Sequence, residues 1–249
     1  MPRSGVKLSN AGRTVLNAAL NQAVKWQLLA RNPVYGTIPK KVVSRPQTIW
    51  TPDQIRRLLQ EASQHRLYAL FYLLFTTGLR QGEVLALRWE DVEEDAIVVR
   101  RSIDTRKGRV IESEPKSKGS RRVVAIDPTT RQLLREHAER QSAELATLGM
   151  TPNEVPQRVF TNHLGGTINA SNLTKIWHQL QDKAGLPRAR FHDGRHMHLS
   201  MLIANGVDIR TVADRAGHAD SVLTLRLYAH ALEAQRRRAA IPLDELLGD

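Results

Sequence analysis

Residues 66 to 78 read R-L-Y-A-L-F-Y-L-L-F-T-T-G and are apolar nearly all round. A surface helix carries one apolar stripe, so a segment without a polar face predicts a helix buried on all sides, stopped by the glycine at 78. Any fold this chain adopts must wrap other elements around that segment. The residues that follow, L-R-Q-G-E-V-L-A-L, begin another helix. This puts Arg80 at a helix–helix junction beside the core, with Glu83 one turn on and close enough to orient its guanidinium.

The flanking sequence supplies the wrapping. Thr51-Pro52-Asp53 predicts a helix start, with a threonine cap and a proline in the first turn, and Ile55, Leu58 and Leu59 form its buried stripe. From Ala96 to Ile126 the pattern changes to short β-branched runs, I-V-V-R-R, G-R-V-I-E-S-E and R-R-V-V-A-I, separated by D-T-R-K-G and P-K-S-K-G-S. These read as a three-stranded antiparallel sheet with Lys116 and Lys118 near the second turn. Pro128 opens a helix to about Leu148, and Asn169 opens another through Ala184. The chain is helical again from His192, with breaks at Gly206 and Gly217. Residues 9 to 30 have helical apolar spacing, as one helix or two broken near Gly12, and Arg31-Asn32-Pro33 stops the run. A Pro-, Gly- and Lys-rich stretch to about Thr48 reads as an interdomain linker. The expected organisation is a partial helical DNA-binding segment with its linker at 1–46 and a larger domain at 47–249.

Charge narrows the partners. Lys and Arg number 37 against 25 acidic residues, a net charge of +12. A domain this basic has the electrostatic footprint of a nucleic-acid binder. Its cations are spread over many segments instead of along one amphipathic anchor helix, which argues against a membrane surface. No run approaches the roughly 20 apolar residues that span a bilayer, and the first residues lack a signal-peptide core. The expected location is cytoplasmic. The absence of cysteine excludes disulfides, thiolate chemistry and a cysteine-based zinc site.

The stretch from His192 to Tyr228 gathers the chemistry. It contains F-H-D-G-R-H, then A-G-H-A-D, then L-T-L-R-L-Y. Arg195 offers a planar fork matched to two phosphate oxygens, and His192 and His218 can donate to or shuttle protons for a reacting oxygen. Tyr228 carries a nucleophilic hydroxyl. Together they suit attack on a phosphodiester with no metal and no cofactor.

Five motifs in order, T-G-L-R-Q-G-E-V-L-A-L-R-W-E-D-V at 77–92, P-K-S-K-G-S-R-R at 115–122, H-D-G-R-H at 192–196, G-H at 217–218 and Tyr228, resemble those of the tyrosine recombinase (phage integrase) family. The resemblance spans residues 50 to 230. It implies an α+β, mainly α-helical, integrase-like catalytic domain carrying the small three-stranded sheet. Arg80 and Arg195 resemble the family's phosphate-clamping arginines, and Tyr228 the nucleophile that forms a 3′-phosphotyrosyl bond. Lys118 resembles the lysine that protonates the departing 5′-oxygen, His192 and His218 the histidines that hydrogen-bond the phosphate, and Glu83 the acidic residue supporting the first arginine. Lys116, Arg121, Arg122 and Lys175 are expected to contact the DNA backbone, where most protein–DNA hydrogen bonds fall. The partners implied are double-stranded DNA, a homotetramer formed on it, and DNA-bending accessory proteins. The tail after R-R-R at 236–238 is a candidate assembly segment.

Two residues depart from the family pattern. Gly194 stands where leucine is usual and Met197 where threonine is usual. Glycine in a helix costs about 1 kcal/mol against alanine, and the expectation is a loosened Arg195. Residues 1 to 46 resemble only the last helices of the family's DNA-binding domain.

Three rival readings remain open from sequence. A zinc hydrolase would use His192 and His196, four apart, with His198, His218 and His230 nearby. A helix-turn-helix regulator would use the segment from Val207 to Tyr228 and leave Tyr228 as packing. A type IB topoisomerase would share the chemistry.

Overall fold

The structure is a computed structural model that describes residues 10–36, 47–106, 109–113, 121–150 and 157–217. The chain divides into two compact units, Met1–Pro46 and Gln47–Asp249. Lys116, Lys118, His218, Tyr228, His230 and the 236–238 tail lie outside the described residues.

In the first unit, α1 spans Asn10–Lys25 and continues through Gly12 without a break. It ends before Arg31 because Gln27 turns into the left-handed region at φ 58°, with the Leu28 N–H donating to Ala23 O at 2.9 Å. Asn32, buried, then ties a 3₁₀ turn at Pro33–Gly36 to the helix. Its amide donates to Asn17 Oδ1 at 2.8 Å and Asn21 Oδ1 at 2.6 Å.

The second unit is built around α3, Tyr68–Thr77, of which Leu70, Phe71, Leu73 and Leu74 are fully buried. Before it comes α2, Pro52–Ala62, started by a capping box between Thr51 and Gln54. The Thr51 hydroxyl accepts from the Gln54 N–H, and the Gln54 side chain accepts from the Thr51 N–H. After it come α4, Gln81–Ala86, then α5, Pro128–Ala146, and α6, Ala170–Lys183. The last two described helices are α7, Phe191–Ala204, and α8, Ile209–Ala216. α3 packs against both α5 and α7, α6 packs on α2, and α8 packs on α7. Trp177 of α6 sits at the centre of the core, with ring centroids 5.4 Å from Trp50, 5.9 Å from Phe71 and 5.5 Å from Phe191. Its indole N–H donates to Ala189 O at 2.8 Å, so no polar group is left unmatched there.

The strands differ from expectation. They form two separate two-stranded antiparallel ladders among the described residues, not one three-stranded sheet. Strand β1, Ala96–Val99, pairs with β4, Arg122–Ala125, while β2, Ser102–Arg106, pairs with β3, Arg109–Ser113. The reason is local: D-T-R, read as a turn, completes a strand that folds back onto V-I-E-S. The β2–β3 hairpin is thereby nested between the two partners of the outer ladder. Ile103 of β2 is buried at 6% exposure and α4 packs on β2, so the inner hairpin shares the core.

Gly194 corrects the expectation drawn from helix propensity. A Cβ at this position would lie 2.6 Å from Leu74 Cδ2 and 3.0 Å from Leu74 Cγ. The glycine lets α7 approach the fully buried α3 at the turn that carries Arg195. Arg195 is not loosened; its side chain is 1% exposed and bonded on both sides. Replacing Gly194 by Leu, the family's usual residue, should therefore destabilise the fold by about 1–3 kcal/mol through overpacking, in spite of leucine's better helix propensity, and the urea midpoint would register it.

Candidate active site

The site begins with two helix ends. α3 and α8 both stop at a glycine in the left-handed conformation, Gly78 at φ 63° and Gly217 at φ 62°. Each leaves last-turn carbonyls without intrahelical donors, and these carry the partial negative charge of a helix C-terminus. The two ends are satisfied by each other's neighbourhood. Arg195 of α7 donates from Nη1 to Gly78 O at 2.7 Å and from Nη2 to Ala216 O. Arg80, just past the α3 cap, donates from Nη2 to Gly217 O at 3.1 Å. The two arginines lie 115 positions apart in the chain, yet they grip successive carbonyls at the end of α8.

Glu83 holds Arg80 from the other side. Its Oε1 accepts from Arg80 Nη1 at 2.8 Å and its Oε2 from the Arg80 backbone N–H at 2.9 Å, which also caps α4. The same carboxylate accepts both ends of a second guanidinium, Arg122 of β4, at 3.0 and 2.9 Å. Burial opposes the charge on Glu83, but the bonds from Arg122, followed by those from Arg80, outweigh it and lower the carboxyl to about 2. The sequence predicts that Arg122 contacts the DNA backbone. Its side chain is instead 6% exposed, paired with Glu83 and donating from Nε to Arg215 O at 2.7 Å. Arg121 and Lys175 are exposed.

Two residues that sequence reading gave no role here complete the bracing. Arg215, in the last turn of α8, donates from Nη2 to Thr76 O at 2.7 Å and Ala125 O at 2.9 Å, joining the ends of α3 and β4. Its Nε donates to His198 Nε2 at 3.2 Å, and His198 Nδ1 lies 2.7 Å from Phe75 O. This pair of contacts fixes the ring as neutral, with Nδ1 the donor and Nε2 the acceptor. The His198 ring also lies against Gly78, where an added Cβ would meet His198 Cδ2 at 2.6 Å. The available signal was a basic residue in a helix's last turn directly before a glycine stop.

His192 is exposed at the start of α7, and its ring meets His196 edge to face at 4.8 Å. Desolvation, followed by the charge of Arg195, lowers its pKa, which keeps the imidazole neutral near pH 7. His196 is turned inward, with Nε2 3.3 Å from the Gln47 side-chain amide. Among the described residues no three His, Asp or Glu side chains converge as a metal site would require, so His192 and His196 are not joined there by a third ligand. No described helix is long and apolar enough to cross a membrane.

Burial lowers His196 to about 4 and His198 to about 3, from 6.5 in each case. Below pH 6.5 the unfolded chain therefore binds more protons than the folded one. Their contribution is fully present above that pH and is lost as pH falls toward 4 and then 3. With each pKa unit worth about 1.4 kcal/mol, stability should drop by on the order of 3 kcal/mol or more between pH 7 and 4, read as the urea midpoint against pH. His198→Gln should remove its share of that slope.

The family described as the phage integrase family matches residues 49–235. The tyrosine recombinase XerC-like protein of Caldanaerobacter subterraneus subsp. tengcongensis is 35% identical, over 96% of this chain and 66% of its own length. The ICEBs1 integrase of Bacillus subtilis is 29% identical, over 94% and 64%. The chain thus spans somewhat less than two thirds of the length of these relatives. Among solved structures, the Tn1549 transposon integrase in complex with a circular intermediate DNA superposes with a TM-score of 0.77 at 20% identity, covering 94% of this chain and 80% of that one. XerA recombinase superposes at 0.61 with 21% identity, covering 94% and 77%. These likenesses place the mainly helical fold with its small antiparallel ladders, and the match over well over half of the sequence makes this chain a member of the phage integrase family.

Proposed function

We propose that this chain is the catalytic part of a site-specific recombinase that breaks and rejoins duplex DNA through a phosphotyrosyl intermediate at Tyr228. The observation that carries the reading is the convergence of Arg80 and Arg195 on the adjacent carbonyls of Gly217 and Ala216. Two guanidiniums in that position suit one phosphate, whose extra negative charge in the five-coordinate state they would stabilise. Tyr228 lies eleven residues beyond Gly217 in sequence, and His218 follows it directly.

In this reading the Tyr228 hydroxyl gives its proton to a histidine of the site as its oxygen attacks phosphorus, and the bond to the 5′-oxygen breaks. Lys118 supplies the proton that the leaving oxygen takes up. The tyrosine becomes linked to the 3′-phosphate, and rejoining is the same exchange in reverse, with a 5′-hydroxyl displacing the phenolate. His192, neutral at pH 7, serves as a hydrogen-bond donor to a phosphate oxygen, and His218 shares that role. Arg121, Lys116 and Lys175 hold the DNA backbone, and the active assembly is a homotetramer on duplex DNA, with DNA-bending accessory proteins as further partners.

The test is incubation with a pool of nicked duplexes followed by denaturation. The parent chain should give a covalent adduct whose yield does not change with EDTA, and Tyr228→Phe should give none. An equal yield from the Phe variant would remove Tyr228 from the reaction, whereas binding without any adduct from the parent chain would leave a DNA-binding protein only. Arg80→Ala should lower the rate of adduct formation by at least about 10²-fold, the cost of removing one fixed charged donor. Duplex binding should weaken steeply with salt, because the logarithm of affinity falls by roughly 0.9 per phosphate neutralised for each decade of salt; a flat response would count against an extended phosphate-contacting surface.

A further inference from the structure

Arg122 stands at a crossing of three elements that carry the site. It opens β4, the strand that follows the lysine-bearing segment 114–120 in sequence. Its two Nη groups bond the Glu83 carboxylate of α4, and its Nε bonds the last turn of α8 at Arg215 O. The carboxylate passes the constraint on, since the oxygens that accept from Arg122 also accept from the Arg80 guanidinium and backbone. Arg80 is in turn bonded to Gly217 at the end of the same helix that Arg122 grips. The result is a closed ring of contacts: Arg122 to Glu83, Glu83 to Arg80, Arg80 to the α8 cap, and the α8 last turn back to Arg122.

We propose that Arg122 is a positioning residue, setting through Glu83 the orientation in which Arg80 meets the scissile phosphate. The proposal rests on the recombinase reading for the identity of the phosphate, but the alignment of Arg80 is a property of the folded chain. A lone carboxylate beside Arg80 would be free to swing, or to protonate when buried. A bidentate fork from the far side fixes both of its oxygens and leaves Arg80 a single geometry. The charged groups around Glu83 are Arg80 at the start of its own helix, Arg122 from β4, and Arg100, Arg101 and Asp91 lining the same crevice. Arg100 and Arg101 bond Asp91 at 3.4 and 2.8 Å, so the other carboxylate lining that crevice is itself held by cations.

The experiment compares the full chain with R122Q and R122K by three measurements. In ¹⁵N spectra of arginine side chains, the Arg80 Nη signals of the parent should be resolved by slow rotation, because Glu83 and Gly217 hold them; in R122Q they should collapse to an exchange average. In a carboxyl ¹³C titration the Glu83 midpoint should rise in R122Q from about 2 toward the ordinary carboxylate range. Adduct formation on a nicked duplex should fall about 10- to 100-fold, the usual scale for losing an outer partner of a functional group, with duplex affinity within about threefold of the parent. The acid limb of the R122Q rate should lie at higher pH than the parent's, and in the E83Q/R122Q double variant, with no Glu83 carboxyl left to titrate, it should return to the parent's position. R122K keeps a cation without the fork, so it should leave Glu83 ionised while still loosening Arg80.

Parent-like Arg80 signals with an unmoved Glu83 midpoint in R122Q would overturn the proposal, whatever the adduct rate. Should R122Q fail to fold, R122K decides it, since parent-like Arg80 signals there would be just as fatal. If the parent chain forms no adduct at all, the recombinase reading falls by itself, and the two spectroscopic measurements still determine whether Arg122 holds Arg80.

Discussion

The site depends on what happens to carbonyl groups at the ends of two helices. α3 and α8 stop at left-handed glycines, and their last carbonyls point into the interior, where water cannot satisfy them. An unmatched carbonyl in such a place costs about as much as a lost hydrogen bond. Arg195, Arg80 and Arg215 supply the missing donors from side chains that already carry the complementary charge. The backbone's need for donors is thus met by one group of residues, which brings Arg80 and Arg195 to adjacent carbonyls at the end of α8.

Collecting that many cations in one region would destabilise it unless the rest of the electrostatics were arranged to fit. Glu83 is the single buried carboxylate placed between Arg80 and Arg122, and it stays ionised because both partners hydrogen-bond its charged form. Removing one partner of such a pair leaves an uncompensated buried charge, at a cost of about 3–5 kcal/mol. The nearby imidazoles of His196 and His198 are kept neutral chiefly by burial, so they add no positive charge. His198 makes the logic explicit: a neutral ring accepts from Arg215 on one nitrogen and meets Phe75 O with the other. A protonated ring there would face Arg215 with a second donor.

Close approach of the backbones is what makes these contacts short. Gly194 brings α7 against the Leu74 side chain of α3, and Gly78 at the end of α3 admits the His198 ring of α7, so the two helices pack closely at both points. Arg195 reaches the caps of both α3 and α8 because its own helix lies this near to α3. The propensity cost of a glycine in α7 is spent on geometry, since a Cβ there would press on the Leu74 side chain of α3.

Much of this was legible in residue order. The all-round apolar run of α3, the Thr51 cap, Pro128, Asn169 and the glycine stops at 78 and 217 are local signals, set by backbone sterics and helix-end chemistry within a few residues. The motif residues Arg80, Glu83, His192 and Arg195 were visible for the same reason, as types at fixed short spacings. The partner of a side chain across the fold was not. Arg122 reads as one more cation in a basic turn, and only the pairing of β4 with β1 and its packing on α8 turns it inward to Glu83. Nor does local pattern reveal that D-T-R joins a nested hairpin, that Gly194 serves Leu74, or that Arg215 and His198 bolt α8 to α3. Propensity and spacing act over one or two turns, and they determined the elements; which carbonyl, carboxylate or ring each arginine meets depends on long-range packing, and that was decided only when the helix ends came together.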